Sequence, residues 1–297
     1  MSGVEKLNLK ANAWSDFLFR PTSPAPIAKL RIGLCVITSI YFVSSMFCVG
    51  DWLVAGAPFA SEHFPSLLQS MDLSSELQWS PLYLADSFLG GSQFAYQLYL
   101  LVGVALCVCI AIGRGGIVAP WALWFVFVGW ANRLILLSGL TEVLLSLALF
   151  ATAFLPPRMS TATDWKARFS SRLLAIQTTI FAAATSASML AQNVWWNGTG
   201  SFALAAPTQD RLLGLGEADS ILARFAPVYE LLTHSLVIAL PLGIALAWSR
   251  RLNRLGVFLA ITWCLIVAVL GSHWLYGATL ACSVLAIPIS NADAVVD

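Results

Sequence analysis

Glu230 and His234 stand four residues apart in "PVYELLTHSLVIALPLG", a spacing that stacks both side chains on one face of a helix. A carboxylate beside an imidazole is the smallest unit that can move a proton near neutral pH. The same two residues would equally serve as a structural hydrogen-bonded pair. With His63 and His273 they could supply ligands to a first-row metal, although the spacing matches no zinc motif. A second group lies in "GWANRLILLSGLTEVLL", where Asn132, Arg133 and Glu142 fall close to one predicted helix-helix turn. Arg133 and Glu142 have opposite charge. They are expected either to form a salt bridge that locks the turn or to hold an anionic headgroup or substrate. Glu230 and His234 are therefore the candidate catalytic pair, and Asn132, Arg133 and Glu142 the candidate substrate-binding set; no metal or cofactor is assigned.

These residues are candidates because so little else in the chain is charged. Of 297 residues, 59% are hydrophobic and 10% charged, with a mean hydropathy of +0.80. An ordinary soluble domain has about 25% charged residues. Such a composition cannot cover a soluble surface, so the fold class expected is an all-α polytopic transmembrane bundle. It also excludes disordered, collagenous and nucleic-acid-binding classes. An ionisable group left facing lipid costs a few kcal/mol, which makes every polar residue at the rim of a span a functional candidate.

Apolar windows of the length that crosses a bilayer predict about eight spans, near 32–49, 94–112, 117–134, 140–156, 173–192, 229–248, 255–271 and 274–290. The stretch 117–156 could instead fold as a tight helical hairpin. The first span is expected to be a membrane helix and not a cleaved leader, since no small-residue cleavage site follows it. With both termini cytoplasmic, 13 of the 16 basic residues fall on one side: Lys6, Lys10, Arg20, Lys29, Arg31, Arg114, Arg158, Lys166, Arg168, Arg172, Arg250, Arg251 and Arg254. Arg133, Arg211 and Arg224 fall on the other. The expected organisation is a cytoplasmic segment 1–31, one transmembrane domain 32–290 and a tail 291–297. Two external segments, about 50–93 and 193–228, are long enough to form a lid or vestibule.

Cys35, Cys48, Cys107, Cys109, Cys264 and Cys282 all lie in apolar runs, the usage of packing residues and not of a disulfide framework. Pro241, in the middle of a span, should kink it. The sequence contains no P-loop, GxGxxG, GxSxG or HExxH.

Several segments resemble, in order, the HTTM membrane domain shared by vitamin K-dependent gamma-carboxylase and by small bacterial proteins of the sporulation-delaying toxin maturation type. They are "KLRIGLCVI", "NRLILLSGLTEVLLSLALFATAFLPP", "QTTIFAAATSASMLAQNVWWNGTG" and "YELLTHSLVIALPLG". In the carboxylase-like members a lysine precedes a Trp by five residues, and Gly follows that Trp three residues later. Taking Trp195 and Gly198 as that pair puts Leu190 where the lysine would stand, and no lysine follows Lys166. A desolvated amine is the base such chemistry needs. The resemblance therefore implies the scaffold without vitamin K-dependent carboxylation. It implies an integral membrane protein, in a bacterial inner (plasma) membrane, that serves as a maturation or assembly factor at the external face. Its partners would be the bilayer and a peptide, lipid or quinone, with a protein partner encoded nearby. The alternatives are a membrane enzyme using Glu230 and His234 on a lipid-soluble substrate, and a transporter or channel.

Overall fold

The computed structural model describes residues 14–54, 56–60, 62–70, 80–83, 86, 91–135, 138–156, 163–205 and 226–292. Among these the secondary structure is helical, with no strand. In chain order the helices are α1 (Ala25–Trp52), α2 (Phe64–Ser70), α3 (Gln93–Ala111), α4 (Val118–Arg133), α5 (Leu140–Ala153), α6 (Trp165–Ala191), α7 (Asn193–Trp196), α8 (Ala226–Ala247), α9 (Asn253–Leu270), α10 (Trp274–Val284) and α11 (Ala286–Ala292). Six are long and apolar enough to cross a membrane: α1, α3, α6, α8, α9 and the run Trp274–Asn291 formed by α10 and α11. The protein is thus an all-helical, multi-pass membrane protein. α4 and α5 have 16 and 14 residues. At 1.5 Å per residue they reach about 24 and 21 Å, short of a hydrocarbon core of about 30 Å.

Two helices begin well before their predicted spans, and in both cases buried arginines are the reason. α1 starts at Ala25 and includes Arg31, which is only 5% exposed because Nη1 donates to the carbonyls of Leu155 (3.5 Å) and Pro156 (3.2 Å). Those carbonyls follow the end of α5, where a helix leaves acceptors unpaired and its dipole favours a cation. α6 starts at Trp165 and includes Arg168 and Arg172. Arg168 donates to Phe17 O (3.2 Å) and Ser290 O (3.0 Å), while Arg172 donates to Asn291 Oδ1 (3.1 Å) and lies 4.1 Å from the centre of the Phe17 ring. A hydropathy window stops at such charges; the helix continues, because each guanidinium finds acceptors while its stem packs.

Backbone contacts divide the chain into two compact units. In the unit Ser23–Ala167, α1 packs on α3 and α5, and α4 lies between α3 and α5. Gly103 on α3 makes room for the Phe42 ring of α1, which a Cβ there would strike. The α4–α5 hairpin is held by aromatic side chains: Trp121 sits 5.0 Å from Phe154 and 5.7 Å from Phe150, and Trp124 5.4 Å from Phe150. In the unit built on Arg168–Asp297, α8, α9 and α10 pack consecutively. α8 runs unbroken through Pro241 from Ala226 to Ala247. Gly243 and Gly256 bring the α8 and α9 backbones together, the small-residue contact that membrane helices use in place of hydrophobic burial.

Candidate functional site

α4 ends in a basic residue and α5 has an acidic one in its first turn, so two opposite charges flank the turn between them. Ser138 Oγ closes this turn against the carbonyls of Ala131 and Leu134, both at 3.0 Å. Glu142, in the third position of α5, reaches back so that Oε2 accepts the Gly139 backbone N–H at 2.7 Å. That leaves Oε1 for Tyr41 on α1, whose hydroxyl donates to it at 2.9 Å. A glutamate at this position satisfies a donor that the helix start would otherwise leave orphaned.

Arg133 does not pair with Glu142, so of the two readings of the sequence the salt bridge across the turn does not form. Its Nε lies 3.5 Å from Asp86 Oδ2, its Nη2 donates to Phe59 O at 2.9 Å, and its guanidinium lies 5.6 Å from the centre of the Tyr83 ring. Asp86 Oδ1 in turn accepts the Tyr96 hydroxyl at 2.5 Å. Arg133 and Tyr96 are 0% exposed and the Asp86 side chain 6%. Ser80 adds a bond from Oγ to Gly129 O at 2.6 Å. Phe59, Ser80, Tyr83 and Asp86 all belong to the segment between α1 and α3, so part of the predicted external segment folds onto the end of α4. Burial raises the Tyr83 phenol above its ordinary value; the nearby Arg133 charge pulls it down and Asp86 pushes it up. Asn132, one residue before Arg133, is half-buried.

Beside this ion pair lies a cavity of about 240 Å³. Tyr41, Ser44, Ser45 and Cys48 line it from α1, Trp130 from α4 and Glu142 from α5. Trp130 is 1% exposed; its buried indole N–H faces the Tyr41 hydroxyl without forming a full hydrogen bond. Buried indoles normally have one. Trp263 donates to Leu236 O at 2.9 Å and Trp248 to Thr179 Oγ1 at 2.8 Å. The cavity therefore presents a carboxylate bonded to a phenol, an indole N–H facing that phenol and two serines, against apolar walls from Val49, Trp52 and Leu53. It can accept a hydrogen bond at Glu142 and donate one from its serine hydroxyls.

Glu230 and His234 occupy the start of α8, and both are exposed. They form no ion pair with each other. The polar centre of that region is Thr233, which is 0% exposed. Its Oγ1 accepts the Ser201 backbone N–H at 2.9 Å and lies 2.7 Å from Tyr229 O and 2.9 Å from Gly198 O. Gly198, at φ +80°, packs against the Glu230 stem. Exchanging Glu230 or His234 for glutamine is expected to change stability by no more than about 0.5 kcal/mol, the usual effect at an exposed position. Thermal unfolding in detergent checks this, and a loss above 1 kcal/mol would mean that the pair is structural.

His63 lies 3.6 Å from Glu62, both exposed, and His273 precedes the first turn of α10. Among the described residues no group of three or more His, Cys, Asp or Glu could hold a metal. All six cysteines are free. Leu190 and Met189, where the carboxylase-like pattern would place its lysine and the residue before it, end α6; the Trp196 indole donates to Leu190 O at 2.6 Å. Comparison with protein-family models, with curated proteins and with solved structures finds no match to this chain.

The sequence reading found Arg133 and Glu142 but missed Asp86, Tyr41, Tyr96 and Trp130. Asp86 carried a signal, as an acid close before an apolar span. Nothing local marks a tyrosine or tryptophan as polar lining.

Proposed function

We propose that this chain is an HTTM-type membrane protein of the bacterial inner membrane, with both termini cytoplasmic and about eight spans, of which six are full-length and the shorter α4 and α5 are the other two. It acts as a maturation or assembly factor at the external face, on a peptide, lipid or quinone partner. The observation that carries this reading is the cavity beside Tyr41 and Glu142, with the buried Trp130 N–H facing the same phenol at its wall. An acceptor on a bound molecule would give that donor the full hydrogen bond it lacks. The 13 basic residues support the orientation, since the positive-inside rule favours a topology with the α4–α5 turn opposite to them. Leu190 in place of the lysine separates the proposal from vitamin K-dependent carboxylation.

The test is co-purification of the full-length protein with the products of neighbouring genes, read for wild type, Glu142→Gln and Trp130→Phe. Each variant removes one charge or one donor from the cavity. Each is expected to weaken capture about tenfold, the equivalent of one good hydrogen bond. Undiminished capture by both folded variants would remove the cavity from the proposal.

A further inference from the structure

A second cavity, of about 570 Å³, lies in the other unit and is unrelated to the proposed partner site. Asn253 and Arg254 stand at one end of it. Val257, Phe258 and Ile261 continue along α9, facing Pro288 and Ile289 of α11. From Asn253 to Ile261 the groove follows α9 for about 12 Å, most of one leaflet of a hydrocarbon core about 30 Å thick. Its walls are apolar except at the Asn253 end, and Phe258 is 66% exposed.

Three observations at that end point to an anion. Arg250, Arg251 and Arg254 are all exposed, and none forms an ion pair or side-chain hydrogen bond among the described residues. α9 starts there with Leu252 at its cap, a residue whose side chain cannot bond the free N–H groups of the first turn. The positive end of the helix dipole points the same way. Charge of one sign at the mouth, an uncapped helix start and an apolar channel running from it together describe a headgroup site and a chain site in series.

We propose that this groove binds one anionic phospholipid, with its phosphate at Arg254 and the first turn of α9, and one acyl chain along Val257, Phe258 and Ile261. Arg250 and Arg251 add to the attraction for the headgroup charge.

Native mass spectrometry of the full-length protein in mild detergent, titrated with long-chain phosphatidylglycerol or phosphatidylcholine, tests the assignment. One phosphatidylglycerol should bind at least about tenfold more tightly than phosphatidylcholine, given three arginines with no ion pair among the described residues. Arg254→Gln, at an exposed position that leaves the fold intact, should weaken phosphatidylglycerol about fivefold and leave phosphatidylcholine unchanged. Val257→Trp should displace the chain, and a short-chain phosphatidylglycerol should bind poorly to wild type. Equal binding of the two lipids would overturn the proposal, as would full retention of the preference in Arg254→Gln. Competition by inorganic phosphate as effective as that by lipid would reduce the site to a phosphate site. A lipid-free dimer that Val257→Trp separates would place a second copy of the chain in the groove.

Discussion

Arg133→Met is expected to destabilise the protein by about 3–5 kcal/mol, the range found when one partner of a buried ion pair is removed. The variant leaves the Asp86 carboxylate 6% exposed with the Tyr96 hydroxyl donating to it, and frees the Phe59 carbonyl from its donor. Asp86→Leu should cost a similar amount, since it takes a carboxylate away from a guanidinium at 0% exposure. The double variant Arg133→Met/Asp86→Leu should recover much of the loss, because apolar groups of similar size replace a buried pair at little cost. Arg133→Lys should resemble Arg133→Met more than wild type. A single ammonium cannot reach Asp86 and Phe59 O at once, as the fork of the guanidinium does. Unfolding by mixed detergent and denaturant, read by tryptophan fluorescence, gives the four values of the cycle. Single variants within 1 kcal/mol of wild type, or simple additivity in the double, would show that the pair does not hold the α1–α3 segment onto α4.

Gly256→Val is expected to be comparably severe, at about 3 kcal/mol or more, beyond the usual cost of overpacking. A Cβ at this position would meet the backbone N of Ala247, with the carbonyl carbon of Leu246 at 2.5 Å and Gly243 O at 2.6 Å. These atoms belong to a neighbouring helix backbone and cannot rotate aside as a side chain does. α8 and α9 would have to separate, losing the contact between them. Gly50→Ala is the matched control: its Cβ would lie 3.5 Å from the end of the Gln93 side chain, an ordinary contact. In a helix interior that exchange should be neutral or stabilising by about 0.5–1 kcal/mol. The two variants compared by thermal unfolding separate close backbone approach from glycine content as such. Equal melting temperatures would contradict the tight α8–α9 crossing.

Much of the architecture was legible in the sequence, because the bilayer imposes a local rule. Every apolar window read from the chain coincides with a helix, and six of those helices are long enough to cross. The information lies within each segment and does not depend on what packs beside it. The windows failed at Arg31, Arg168 and Arg172, which extend α1 and α6 beyond the predicted spans. Whether a charge ends a helix depends on acceptors supplied from Leu155, Pro156, Phe17 and Ser290, all far away in the chain.

The candidate site divides in the same way. Residue type alone identified Arg133 and Glu142, since charge is scarce at the rim of a span. Their partners were a tertiary decision: Asp86 and Phe59 reach Arg133 only because the segment after α1 folds over the end of α4, and Tyr41 reaches Glu142 only because α1 packs on α5. Helical spacing likewise placed Glu230 and His234 on one face without saying which face. The fold turned both outward and buried Thr233 between them. The chain by itself thus determined what kind of solvent this protein lives in, where its helices lie and how few groups could do chemistry. The tertiary structure decided which of those groups are consumed in holding the fold and which border a cavity, because hydrogen-bond and ion-pair choice depends on contacts between distant segments.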